Sequence, residues 1–156
     1  MRMSFGGAPE IRATRAQVWK ALLDPNVVAA SAPAIEKVET IDPTHFTVTA
    51  GLGVGSLKLK FKLNAELFDI VEGQTAKMRV RGKAPGSTLD ATTSFHLEDA
   101  PGGIKLNWTA ESEVGGTIAS IGARLLEGTS RRLAEEFWRD FAGAVSAASS
   151  KETFIP

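Results

Sequence analysis

Leu57-Lys58-Leu59-Lys60-Phe61-Lys62-Leu63-Asn64-Ala65-Glu66-Leu67 alternates apolar and polar side chains throughout, and the next residue, Phe68, is the one apolar side chain on the polar phase. A strand sends successive side chains to opposite faces, so this segment reads as a strand with one face in a core and the other in water. The same period recurs downstream. Ala76, Met78, Val80, Gly82 and Ala84 alternate with Lys77, Arg79, Arg81 and Lys83, and Leu89, Ala91, Thr93, Phe95 and Leu97 form another inward row. Ile104, Leu106, Trp108 and Ala110 alternate with Lys105, Asn107, Thr109 and Glu111, and upstream Phe46, Val48 and Ala50 make a shorter row. Turn signals separate these runs at Asp42-Pro43, across 51–55, and at Glu72-Gly73, Pro85-Gly86 and Pro101-Gly102-Gly103.

Outside the strands the period changes to that of a helix. Thr14-Arg15-Ala16-Gln17 has the hydroxyl and the Gln of a capping box, and Val18, Trp19, Leu22 and Leu23 supply an apolar face behind it. Asp24-Pro25 ends that helix in this reading, with Asn26 capping a second short one over 27–32. From 117 to about 148 the spacing is helical again, with Ile118, Ile121, Leu125, Leu126, Leu133, Phe137 and Phe141 on one side. Gly128 either bends this helix or lets it approach the sheet. The order is strand, two short helices, six strands, long helix. A sheet that is apolar on one face must cover that face, and the long amphipathic helix is the element large enough to do so. The fold class is therefore α+β, a curved seven-stranded antiparallel sheet around a long C-terminal helix.

At 156 residues the chain fits one domain, read as 1–148 with a frayed tail over 149–156. The formal net charge is zero, which gives no global attraction to nucleic acid and leaves any electrostatic role to local clusters. There is no cysteine, so disulfides, thiolate metal sites and cysteine nucleophiles are excluded, and a reducing cytoplasm fits. The N-terminus lacks the pattern of a signal peptide and no stretch is long and apolar enough to span a bilayer. Cytoplasmic location is the expectation, with peripheral contact at the inner face of the membrane.

The inward rows contain no titratable group, and acid–base or nucleophilic catalysis needs several converging in a pocket. His45 opens a strand and His96 falls on an outward phase, neither at a triad or metal spacing, so no catalytic residue, metal or cofactor is assigned. The glycine-rich stretch 51–56 lies between two strands and lacks the Lys-Ser/Thr of a phosphate loop, so it reads as a hairpin. Trp19, Val27, Phe46, Val48, Phe61, Leu63, Met78, Val80, Phe95, Trp108, Ile121 and Leu125 are the candidate lining of an apolar cavity, against the simpler reading that they fill a core. Small inward residues such as Ala50, Ala65, Gly82, Ala91 and Ala110 leave space that favours the cavity. Its entrance is expected near 27–32, Pro85-Gly86 and the start of the long helix. Lys58, Lys60, Lys62, Lys77, Arg79, Arg81 and Lys83 share an outer face if their strands pair. That face is either a solvated surface that resists aggregation or a docking surface for anionic lipid or an acidic partner.

Particular residues carry a resemblance beyond this pattern. They are Gln17-Val18-Trp19-Lys20-Ala21-Leu22-Leu23-Asp24-Pro25, Gly53-Val54-Gly55 leading into Leu57-Lys58, Val114-Gly115-Gly116, Ile121-Gly122-Ala123-Arg124-Leu125-Leu126, and Arg132-Leu133-Ala134-Glu135-Glu136-Phe137. Together they resemble the carbon monoxide dehydrogenase G-subunit family of the START-like (SRPBCC) superfamily, whose fold is the helix grip. Ala32-Pro33-Ala34 stands where members often read Pro-Gly. The resemblance implies a non-catalytic accessory of a molybdenum hydroxylase of the carbon monoxide dehydrogenase type, holding a quinone- or lipid-like molecule and helping place or mature the enzyme at the membrane. The alternatives are a cyclase- or hydratase-like enzyme of the same fold, or a ligand-free interaction scaffold.

Overall fold

The computed structural model describes residues 1–32 and 34–153, with side chains placed through Ala148. Its elements are β1 (Arg2–Gly7), β2 (Glu10–Ile11), α1 (Arg15–Leu22), α2 (Pro25–Ala30), β3 (Ile35–Asp42), β4 (His45–Val54), β5 (Leu57–Val71), β6 (Thr75–Ala84), β7 (Ser87–Ala100), β8 (Gly103–Gly116), a 3₁₀ turn (Thr117–Ile121) and α3 (Ala123–Thr153). All strands join one antiparallel sheet in the order β1-β8-β7-β6-β5-β4-β3, with β2 also on β8. The seven expected strands are β1 and β3 to β8. The eighth, β2, has two residues, too few for any period to announce.

The capping box at Thr14 is formed: its hydroxyl accepts from the Gln17 amide at 3.2 Å, and the Gln17 side-chain oxygen accepts from the Thr14 amide at 2.9 Å. The second short helix begins two residues earlier than the sequence suggests. Asp24, not Asn26, is its cap, accepting from the Asn26 amide at 2.9 Å, and Pro25 is the first helical residue. A proline fits there because the first turn needs no amide donor and its fixed φ is already helical. Pro33, in the Ala32-Pro33-Ala34 segment, lies outside the described residues.

Between β6 and β5 the backbones approach so closely at Gly82 that a Cβ there would sit on the Lys62 carbonyl oxygen. A glycine at such a close approach is one of the devices by which a sheet can curve, and α3 packs against the inner face of this one. Two buried clusters form on that face. One joins Ile11, Val18, Trp19, Leu22, Phe95, Leu97, Ile104, Leu106 and Trp108 to Trp138, Phe141 and Val145 of α3. Trp138 is its hub, stacked on Trp108 at 5.4 Å between centroids and edge-on to Phe95, Phe137 and Phe141 at 6.0, 4.7 and 5.7 Å. Such aromatic pairs add to their area burial about 0.5–1.5 kcal/mol each. The other cluster gathers Met3, Phe46, Val48, Val54, Phe61, Leu63, Ala65, Leu67, Ala84, Val114, Ile118 and Leu126.

The long helix does not begin at residue 117. Gly116 at φ +80° and Gly122 at φ +101° bracket the 3₁₀ turn, whose Ile118 amide donates to the Ser87 hydroxyl at 3.0 Å, and α3 starts only at Ala123. A left-handed glycine interrupts α-helical dihedrals, so the sequence period continues across a break in the helix. Gly128 has open space where a side chain would project, so it makes no close approach to the sheet. Helical backbone continues past Ala148 to Thr153, through part of the segment expected to fray, and Phe154, Ile155 and Pro156 of that tail lie outside the described residues.

Candidate functional site: a cavity between sheet and helix

The inward side chains at the middle of β6, β7 and β8 are only half-buried. Met78, Thr93 and Ala110 form one cross-strand row, and Val80, Ala91 and Ser112 the next. They are apolar or small, they face inward, and α3 does not seal them. Beside them lies a partly enclosed cavity of about 270 Å³, with Met3 and Phe5 of β1, Phe61 and Leu63 of β5, Leu89 of β7, Ser112 and Val114 of β8, and Ile118 on the sheet side. Leu126, Ser130 and Leu133 of α3 close it from above, and Ala34, Ala50, Gly51 and Leu52 form its side toward β3 and β4. No Asp, Glu, Lys, Arg or His is among these residues. Its polar side chains are the hydroxyls of Ser112 and Ser130.

A second, larger hollow of about 530 Å³ opens at the surface where α1 and α2 meet the C-terminal half of α3. It carries Lys20, Asp24 and Asp140 beside Val27, Ala144 and Val145, so charged groups line it along with apolar ones.

The outer face of β5 and β6 carries the cations. The two strands pair with Lys62 opposite Lys83, Asn64 opposite Arg81 and Glu66 opposite Arg79. Three of the seven are engaged: Lys60 with Glu36 at 3.2 Å, Lys77 with Asp69 at 3.5 Å and Arg79 with Asp90 at 2.9 Å. The Arg79–Asp90 pair is two-pronged, with Nε also donating to the carboxylate at 3.2 Å, and these hydrogen bonds hold the Asp90 carboxyl below its ordinary range. Among the described residues, Lys58, Lys62, Arg81 and Lys83 have no carboxylate within ion-pairing distance. Like charges directly opposite on neighbouring strands are unfavourable, so Lys62 and Lys83 raise the local potential at no benefit to the sheet.

The family model of the carbon monoxide dehydrogenase G-subunit (CoxG) matches residues 7–146. The chain belongs to that family. Solved structures agree on the fold. A conserved protein from Geobacillus kaustophilus superposes with a TM-score of 0.84 at 22% identity, covering 94% of this chain and 97% of its own. The ZhuI aromatase/cyclase from Streptomyces sp. R1128 does so at 0.68 and 14% identity, covering 93% and 94%. Ara h 8.0201 gives 0.66 at 17% identity, covering 94% and 99%. No curated protein is significantly similar in sequence.

On this CoxG framework the expected lining residues separate into groups. Phe61 and Leu63 line the 270 Å³ cavity. Trp19, Phe95 and Trp108 are packed into the cluster around Trp138, and Phe46 and Val48 are buried in the other cluster. Met78 and Val80 lie on the half-buried inner face, packed against those clusters, without reaching the cavity wall. Val27 borders the surface hollow by α2. Ile121 packs at the edge of the second cluster without being part of the cavity wall, whereas Leu125 lies in an outer depression with Arg124 and Arg132, 47% exposed beside Gly55. Pro85 and Gly86 are not part of the cavity wall, whereas Ala34, just beyond α2, and the first turns of α3 are.

The rest of the wall was not among the expected lining residues: Met3, Phe5, Ala34, Ala50, Gly51, Leu52, Leu89, Ser112, Val114, Ile118, Leu126, Ser130 and Leu133. Ser112 had a readable signal, since it continues the inward phase of Ile104 to Ala110 by one more step. Met3 and Phe5 alternate over too short a stretch to stand out. His45 accepts or donates within the Asp42–Thr44 turn, 2.9 Å from the Asp42 carboxylate, and His96 is exposed beside Glu98. The 51–55 stretch is the β4–β5 hairpin, with Gly55 in the left-handed region.

Proposed function

We propose that this CoxG-family protein is a non-catalytic accessory that holds a neutral apolar molecule, quinone- or lipid-like, between its sheet and α3, and helps recruit or mature a molybdenum hydroxylase of the carbon monoxide dehydrogenase type at the membrane. The observation that carries the reading is the cavity itself: about 270 Å³, walled by aliphatic and aromatic side chains and free of ionisable groups. A space of that size and chemistry gains free energy from any apolar surface it removes from water, at roughly 25 cal/mol per Å². It offers nothing with which to move a proton. A cyclase or hydratase reading therefore lacks its acid and base in this cavity, although a structural neighbour is an aromatase/cyclase.

Lys58, Lys62 and Lys83, which have no carboxylate within ion-pairing distance, supply the docking part of the proposal, with Arg81, which shares the field of Asp90 across the β6–β7 pair, beside them. Each is worth about 1 kcal/mol near an anionic membrane surface. No described helix is long and apolar enough to cross a membrane, and the attachment proposed is peripheral, through these cations. The experiment is affinity isolation of the tagged protein from its own host with and without detergent. Co-isolation of a molybdenum-containing hydroxylase, and a shift of that enzyme from the membrane to the soluble fraction when this protein is deleted, is the expected result. An enzyme whose distribution and assembly ignore the deletion ends the recruitment reading.

A further inference from the structure

Among the described residues β3 ends the sheet, with β4 on one side of it and no strand on the other. All of its residues but Ile35 and Val38 are exposed, including Thr40, which stands on the inner phase opposite Phe46. The core therefore leaves this strand largely uncovered, and an edge of this kind presents a row of amides and carbonyls able to pair with another strand. Bulges at Ile35/Lys37 and Thr40/Asp42 confine the regular run to Lys37-Val38-Glu39-Thr40. The second bulge holds Ile41, 67% exposed and the most exposed large apolar side chain among the described residues.

The charges on this edge have an order that suits a second copy. Reversed end to end about Val38, the strand presents Ile41 where Ile35 stood, Thr40 where Glu36 stood and Glu39 where Lys37 stood. Lys37 and Glu39 share the outer face, opposite Thr49 and Thr47 of β4, and lie 2.7 Å apart with both side chains mostly in water.

We infer that two copies of the chain pair antiparallel along β3, in the register that puts Val38 on the two-fold axis and Lys37 of each copy opposite Glu39 of the other. In that register four charges alternate in sign on the outer face, and Ile41 moves from water toward Ile35 of the second copy. A slip of one strand by two residues, the smallest that keeps the faces matched, sets Lys37 on Lys37 or Glu39 on Glu39, so the charges select one register. Both copies use the same strand, so the association closes at two. The outer faces then lie on one side of the joined sheet, and the cation rows of both copies face the same way. A ladder this short is a small interface, which makes the dimer weak and dependent on concentration. The inference is independent of what the cavity holds.

Sedimentation velocity of the purified chain from about 5 µM to about 500 µM, the span of weak association, tests this on wild type, Lys37→Glu, Glu39→Lys and the double exchange. Wild-type protein is expected to move from monomer to dimer across that range. Each single exchange sets like charges opposite at both symmetry-related places, and dimerisation weakens about tenfold or more. An equimolar mixture of the two single variants recovers the dimer, because a strand with two acidic side chains then faces one with two basic ones, and the double exchange recovers it as well. All variants keep their circular dichroism and a thermal midpoint within about 2 °C, since both side chains are exposed. Wild-type protein that stays monomeric to the top of the range overturns the pairing. Single variants that dimerise as wild type does place the contact on another surface and overturn it too, and a mixture that stays monomeric overturns the register.

Discussion

Truncating Trp138 to alanine separates the part of the core that holds the helix from the part that encloses the cavity. The indole is buried against four aromatic rings, Phe95 and Trp108 from the sheet and Phe137 and Phe141 from its own helix. A large aromatic truncation in such a site costs about 3–5 kcal/mol through lost transfer free energy and the void left behind. For a chain of this length each kcal/mol lowers the thermal midpoint by about 2–4 °C, so the expected drop is roughly 6–20 °C. Trp138 is not part of the cavity wall, so below the new midpoint 2-acetylnaphthalene should bind the variant with an affinity within about threefold of wild type. Differential scanning calorimetry with and without probe reads both quantities. A drop under about 2 °C would refute the hub role. Complete loss of probe binding in protein still folded by circular dichroism would refute the division of the core into a packed half and a hollow half.

Neutralising the opposed pair, Lys62→Gln with Lys83→Gln, should weaken co-sedimentation with anionic vesicles about thirtyfold, from about 1 kcal/mol per cation, and wild-type binding should fall as salt rises. The same changes at Lys60 and Arg79 should do less, because Glu36 and Asp90 already offset those charges; equal losses from the two pairs would contradict the assignment. Asp90 should titrate below the usual carboxylate range by carbon-13 NMR, and Arg79→Gln should return it upward. Since the folded value is the depressed one, the pair's contribution is present at neutral pH and fades as pH falls through that folded value; an Asp90 value unmoved by Arg79→Gln contradicts it. Gly82→Ala should lower the midpoint by more than about 5 °C or prevent folding, since its Cβ meets the β5 backbone and not a movable side chain; a midpoint within about 2 °C of wild type contradicts the close approach.

The strands were legible because their signal is local: a period of two over ten or more residues, bounded by glycine and proline, leaves one arrangement of faces. The cation rows followed from the same alternation. The cavity wall was less legible because inward-facing and cavity-facing are different properties. Phe95 and Trp108 point inward as read, but they meet Trp138, and only the distance between α3 and each part of the sheet decides which inward residues touch protein and which touch space. That distance is set by backbone features with no periodic signature. Gly82 permits a close approach of β6 to β5, and the turn between Gly116 and Gly122 precedes a helix that starts only at Ala123. Leu125 shows the consequence: α3 starts after Gly122 with Leu126 facing the core, and that leaves Leu125, one residue before it, at the surface. Pairings within the cation rows were likewise hidden, since Glu36 and Asp90 come from other strands.

Native mass spectrometry of the protein purified from its own host, beside a Ser130→Phe variant that fills the cavity from the helix side, tests the central claim most directly. The account predicts wild-type protein carrying an added mass that organic solvent removes and that belongs to a neutral apolar molecule, and a variant that folds with an equal or higher midpoint and carries none. Wild-type protein at the bare polypeptide mass after gentle isolation, or an added mass that Ser130→Phe leaves in place, would contradict it.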